Sequence, residues 1–440
     1  MNPFKDLDHK VIAALLILAL TVAGILLFNP DNSGIKTIKS YPATVCPGKL
    51  SGGTSTSVIP SSKTLVRQIS SGTNKLSKAR TNFYLSSKPL LVDGNIQSSI
   101  NVTRPNSNSL ATSICSISNS EQWFVGGAGS VISKSAIQIV NSGLSTSIVD
   151  LFVYTSNVVS PVISIRVAKN SSKQIALDTL APGEDSVVVH AITRSGRVSM
   201  FLFDQRQRGL RNLGSDFVSH GAEPAMRVVI PAINNVALSS RDSNQMLRIL
   251  APGTVKANVR AKLVSSDGTF APIELDDIFI DGGKVKDIRF KPILRSANFS
   301  LILTADRPII AGVKSSGTFN GANEFTWSTS SQTMQDTELT FGGLRPNVIF
   351  QGKNIEVEVK WTATNRKVYS KTIRGNKEND IASWTPKSGV IRASFTSKNE
   401  EIYAGIIFKE KRGLSHLPLA PGAQLESSAI PILDARIISR

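Results

Sequence analysis

Histidine and cysteine are scarce in this 440-residue chain, with four and two copies. Metal centres and most nucleophile–base pairs draw on those residues, so few such constellations can be assembled here. Beyond the first ten residues the histidines are His190, His220 and His416, and none stands at a metal-ligand spacing from a second ligand. A G-x-S-x-G elbow is missing too, which removes a common serine-nucleophile signature. The glycine-rich "GGAGS" at 126–130 lacks the Gly-Lys-Ser/Thr of a phosphate loop and reads as a turn. Asp276, Asp277 and Asp281 are the nearest approach to a carboxylate cluster. Adjacent strand residues face opposite ways, and Asp281-Gly282-Gly283 is turn chemistry. The sequence therefore predicts no catalytic residue, no metal site and no cofactor.

Aromatic residues make up only 6% of the chain, so a carbohydrate platform of stacked rings has few candidates. Trp361 belongs to an alternating apolar face and is expected in a core. Trp384, in "ASWTPKSG", is the candidate exposed aromatic.

Long apolar runs are equally rare. One exists, at residues 11–28, "VIAALLILALTVAGILLF", and Asn29-Pro30-Asp31 ends it. At about 1.5 Å per residue, a helix of this length approaches the ~30 Å hydrocarbon core of a bilayer. A cleaved signal peptide is the rival, but its apolar region is normally shorter and followed by a small-x-small site. The expectation is an uncleaved, single-pass plasma-membrane anchor (11–28) with a cytoplasmic tail (1–10), a linker (29–43) and the bulk of the chain extracytoplasmic. In that compartment Cys46 and Cys115 are expected to form a structural disulfide.

What is abundant is positive charge and period-two patterning. A net charge of +18 favours polyanionic partners, either anionic cell-wall polymer or lipid head groups. An extracytoplasmic location argues against nucleic acid. The plainer reading is that Lys and Arg are spread over solvated strand faces. Two runs end in cations, "FLFDQRQRGL" (201–210) and "GIIFKEKRGL" (405–414). The candidate polyanion-binding residues are Arg206, Arg208 and Arg211 in and just after the first, and Lys409, Lys411 and Arg412 in the second. The alternative is a duplicated strand exit whose charges discourage edge pairing.

Strict alternation marks "VKANVRAKL" (255–263) and "IEVEVKWT" (355–362), each with one apolar face. Hairpins closing at Val198, Ile309 and Ile402 recur at spacings of 111 and 93 residues, the size of an immunoglobulin-like sandwich. The predicted fold is all-β: an N-terminal transmembrane helix followed by tandem immunoglobulin-like β-sandwich domains. Its repeats are placed at 121–230, 231–322 and 323–440, after a Ser/Thr-rich β segment (44–120) bracketed by the cysteines.

Cys46-Pro47-Gly48, Cys115, Trp123, Gly126-Gly127 and "DQRQRGLRNLGSDFV" (204–218) before Pro231 give the chain a resemblance. It resembles a family of uncharacterised actinobacterial extracytoplasmic proteins, each with one N-terminal membrane segment. That resemblance implies a cell-envelope setting and carries over no catalytic residue. The expected function is a non-catalytic, membrane-anchored binding or scaffold protein of the envelope. The alternative is an accessory subunit of an envelope glycosyltransferase or transporter, and an envelope hydrolase stands third.

Overall fold

The computed structural model describes residues 9–27, 37–40, 42–419 and 426–429, except 61–62, 71–74, 86, 95–97, 105–108, 158–159, 236–243, 376–379, 400 and 411–412. The chain divides into two compact units, Met1–Ser40 with Leu425–Arg440, and Tyr41–Gln424. In the smaller unit the apolar run forms a 19-residue helix, His9–Leu27. Strands Thr37–Ser40 and Glu426–Ala429 pair as an antiparallel ribbon. Among the described residues no helix is long and apolar enough to cross a membrane, so the spanning helix expected at 11–28 is not shown.

The larger unit is almost entirely antiparallel sheet, as the alternating patterns require. Its strands follow one plan four times among the described residues. The first copy runs from Thr44–Cys46 to Ala111–Ile114 and the second from Glu121–Val125 to Arg211–Val218. The third runs from Ala225–Asn234 to Ala322–Thr329 and the fourth from Thr337–Thr340 to Leu414–Pro418. Counted along the chain, the eight strands of a copy hydrogen-bond in the orders 1-6-3-4 and 5-2-7-8. In the third copy strand 4 is split between Gly268–Phe270 and Ile278–Ile280, and strands 6 and 7 are one continuous strand, Asn298–Phe319.

The two sheets of a copy face each other across a shared core, which makes each copy a sandwich. In the second, Val149, Leu151 and Val189 of one sheet meet Ile137, Ile139 and Leu202 of the other. "IEVEVKWT" buries Val357 and Val359 in the fourth core, and "VKANVRAKL" buries Ala257, Val259, Ala261 and Leu263 in the third. The immunoglobulin order, A-B-E-D facing C-F-G, is a different one. The immunoglobulin-like expectation is thus not shown; what is shared is two antiparallel sheets over one core.

The strand positions also shift the expected borders. Residue 231 lies inside the strand Ala225–Asn234, residue 323 lies inside Ala322–Thr329, and the 44–120 segment holds a full set of eight strands. The first basic run forms the hairpin tip between strands 7 and 8, and the described part of the second ends strand 7 at Lys409 and begins strand 8 at Leu414, so neither is an exit from a last strand. The eighth strand escapes pattern reading because both of its faces are buried and it carries polar residues. Gly214, Ser215 and Asp216 are buried in one copy, and Ser415 and His416 in another.

Cys46 and Cys115 form the expected disulfide, with an S–S distance of 2.11 Å, and both are fully buried. It joins strand 1 of the first sandwich to the end of strand 8.

Candidate functional site

The eighth strands of all four sandwiches meet, and one chain of hydrogen bonds ties them together. Thr112 of the first sandwich approaches Ser415 of the fourth through both its backbone N–H and its hydroxyl, each at 2.8 Å. The Ser415 hydroxyl donates to Oδ1 of Asp216 in the second at 2.7 Å, and so must accept from Thr112. The backbone N–H of Trp327 in the third donates to Asp216 Oδ2 at 3.0 Å. Burial pushes the Asp216 carboxyl well above the usual carboxylate range, against the pull of these donors. Glu324 shifts the same way by burial, while its Oε1 accepts from the N–H of Ser215 at 2.9 Å.

The densest charge lies beside this hub, where the outer face of the third sandwich covers the open end of the second. Asp204 is fully buried and takes four bonds. They come from Arg206 Nε (2.7 Å) and Nη2 (3.1 Å), Ser135 Oγ (2.7 Å) and the indole Nε1 of Trp327 (2.9 Å). Burial raises the Asp204 carboxyl, but the charges of Arg206 and Lys314 and the hydrogen bonds outweigh it and hold it well below its ordinary range. Arg248 forks onto Asp287 at 2.8 and 2.7 Å. Its remaining donors reach the carbonyls of Gly127 (2.7 Å), Val187 (3.1 Å) and Asp185 (2.9 Å). All five of its N–H groups are therefore used. Ser186 Oγ completes Asp287 at 2.6 Å.

Lys314 is left over. Its Nζ sits 4.3 Å from the centroid of the Phe325 ring and 5.9 Å from that of Trp327. Burial, then the nearby Arg206, press its pKa down to about 7, against the attraction of Asp204. The unfolded amine titrates at 10.5, so the cost of burying this charge is fully present below pH 7 and vanishes as pH rises to 10.5. Lys314→Met is expected to flatten that rise in stability and to add on the order of 2 kcal/mol at pH 7, after discounting the solvent reach of the ammonium. Denaturant midpoints at pH 7 and pH 9.5 check it.

"GGAGS" is more than a turn. A Cβ on Gly126 would lie 2.7 Å from the Val218 side chain and 3.0 Å from the Trp327 ring, so only glycine lets the third sandwich close on the second.

The residues singled out by sequence scatter. Arg206 is buried on Asp204 and withdrawn from any surface, whereas Arg208 and Arg211 are exposed at the hairpin tip. Lys409 is half-buried, and Lys411 and Arg412 lie outside the described residues. Trp384 is not exposed: at 3% it is part of the fourth core, edge-on to Trp361 at 5.2 Å and to Phe395 at 5.6 Å. Its strand pairs it with Val348, and that register turns the ring inward. His190 stacks on Trp123 at 3.7 Å and meets Glu121 at 2.7 Å. Its pKa is lowered by burial against that carboxylate. Burial lowers His416 to about 4. Asp277 and Asp281 make separate surface pairs with Arg260 and Lys256, and no group among the described residues could hold a metal. Sequence reasoning missed Asp204, Arg248, Lys314 and Trp327. The available signal was a charge inside an apolar run, in "FLFD" and "MLRIL".

A family model spans residues 85–374, from the end of the fifth strand of the first sandwich into the fourth sandwich and across the whole charged junction. The chain belongs to the DUF5719 family, a family of unknown function. No curated protein matches it. Among solved structures, one match to this DUF5719 chain is titled as a tetra-tandem repeat in the extending region of a large adhesion protein. It is 8% identical, covers 87% of this chain and 100% of that one, and has a TM-score of 0.09, too low to bear on fold or function.

Proposed function

We propose that this chain is a non-catalytic binding or scaffold protein, anchored by its N-terminal helix on the outer face of the plasma membrane and contacting anionic polymers of the cell envelope. The observation that carries the reading is the use made of the buried charge. Asp204, Arg206, Arg248, Asp287 and Trp327 saturate one another across a junction between sandwiches. Such an arrangement locks neighbouring sandwiches into a fixed surface. Cations outside the network, Arg208 and Arg211 among them, remain at the surface with the net charge of +18.

The helix supports the anchor. Leu15, Leu16, Ile17, Leu18 and Leu20 are 54–70% exposed, an apolar surface that water does not favour. The same exposed side chains suit packing against the helices of a membrane enzyme, which is the accessory-subunit reading. A pull-down of the anchored protein from solubilised membranes, washed at low and high salt, separates the two. Anionic wall polymer retained at low salt and lost at high salt supports the scaffold. A membrane enzyme retained at high salt favours the accessory subunit, and recovery of neither overturns both. Replacing Arg208 and Arg211 with alanine is expected to weaken polymer binding several-fold while changing stability by no more than about 0.5 kcal/mol. Retention assays and denaturant midpoints on the same samples check both halves.

A further inference from the structure

We propose that Lys314 anchors an oxyanion subsite in the groove where the second and third sandwiches part, and that this groove takes the charged groups of an acidic polysaccharide. The inference rests on the polymer-binding reading above and gives it a place.

The register of one sheet of the third sandwich sets the site out as a row of side chains on one face. Arg289 pairs with Met246, Met246 with Lys314 and Lys314 with Trp327. Directly opposed residues of antiparallel strands share a face, so these four form one row across four strands. The row passes out of the junction from one end to the other. Trp327 is fully buried under the second sandwich, Met246 packs at the edge of that sandwich's core, Lys314 is partly exposed and Arg289 is exposed. A third cation joins from the other wall, because Arg211 of the second sandwich reaches Asn323 at 3.4 Å. Asn323 pairs with Thr318, four residues beyond Lys314 on the same strand and therefore on the same face.

Charge accounting makes the groove wait for an anion. Asp204 and Asp287 are the carboxylates nearest Lys314 in the cluster, and each is saturated by an arginine fork and a serine hydroxyl. Lys314, Arg206 and Arg248 thus share Asp204 and Asp287, and the two arginines already hold both carboxylates. Neither Lys314, Arg289 nor Arg211 makes an ion pair among the described residues. An ammonium set over aromatic rings has lost part of its hydration and gains most from an oxyanion that enters from solvent. Arg289 stands two strands from Lys314, about 10 Å at the backbone, so successive charged groups of an extended chain can meet successive cations.

The test titrates the full-length protein in detergent with glucuronate and, separately, inorganic phosphate, following tryptophan emission, since Nζ lies 5.9 Å from the Trp327 ring. Saturable change is expected, weakened at least 10-fold by Lys314→Met and several-fold by Arg289→Ala, and unaltered by Lys371→Ala, which removes an exposed cation of the fourth sandwich. The tighter probe assigns the group as carboxylate or phosphate, and phosphate alone would overturn a uronic polymer as the occupant. Identical titrations of wild type and Lys314→Met overturn the subsite. Retention of an acidic polysaccharide is measured alongside. If wild type and Lys314→Met retain it equally, the subsite fails and the polymer-binding reading stands. If wild type retains none while Lys314-dependent anion binding persists, that reading fails and only the small-anion site survives.

Discussion

Asp204→Ala is expected to lower the unfolding free energy of the larger unit by about 3–5 kcal/mol, because it leaves a buried guanidinium without its counter-ion. Arg206 has a side chain only 8% exposed, and the substitution strands it while freeing the indole N–H of Trp327 and the hydroxyl of Ser135. The loss reflects the orphaned partners and not the worth of the pair. Asp204→Leu combined with Arg206→Met should therefore recover most of the stability. Denaturant midpoints of the single and double variants decide between these outcomes, and equal losses in both would refute the account. The pH dependence has a definite sign. The folded carboxyl titrates below its ordinary 3.8, so its contribution is complete above that pH and is lost only as the solution becomes more acidic. Lys314 acts in a separate window, from pH 7 to 10.5, so acid and alkaline titrations report different halves of one cluster.

The cluster was hidden in the sequence for a reason that also explains which strands were visible. Residues that face one core from one sheet alternate, and alternation reveals the strands holding Val357, Val359, Val259 and Leu263. Residues at an interface between sandwiches obey no such period. Asp204 and Arg206 lie in step with Leu202, an inward-facing core residue, yet they reach the end of the core where Trp327 of another sandwich arrives. From "FLFDQRQRGL" alone, an inward-facing arginine is indistinguishable from an exposed one. Which of them meets Asp204 is set by residues more than a hundred positions away. Trp384 fails for the opposite reason. Its neighbours are polar and turn-like, but its strand is short and paired on an inner face, so local composition misreports its burial. The disulfide was legible because two cysteines allow only one pairing.

That disulfide carries the other large effect. Replacing Cys46 and Cys115 with serine, or reducing the bond, is expected to cost about 4 kcal/mol, as follows from closing a loop with a sequence separation of 69 residues. The first sandwich is where such a loss matters most, because it has little core of its own. Cys46 and Cys115 are themselves core members beside Val58, Val66, Leu90 and Val92. Much of its remaining apolar surface is lent outward. Val45, Leu91 and Ala111 pack against Phe201, Phe203 and Phe217 of the second sandwich, and Ile100 and Leu110 complete the core of the fourth. Thr112 holds Ser415, which holds Asp216, so the bond also props one end of the chain that joins all four eighth strands. Reduction should therefore not melt the first sandwich alone. Hydrogen exchange is expected to show lost protection in Thr337–Thr340 and Leu414–Pro418 together with the strands between the cysteines. Loss confined to residues 44–115 would show that the first sandwich is only appended, and that the hub at Asp216 stands without it.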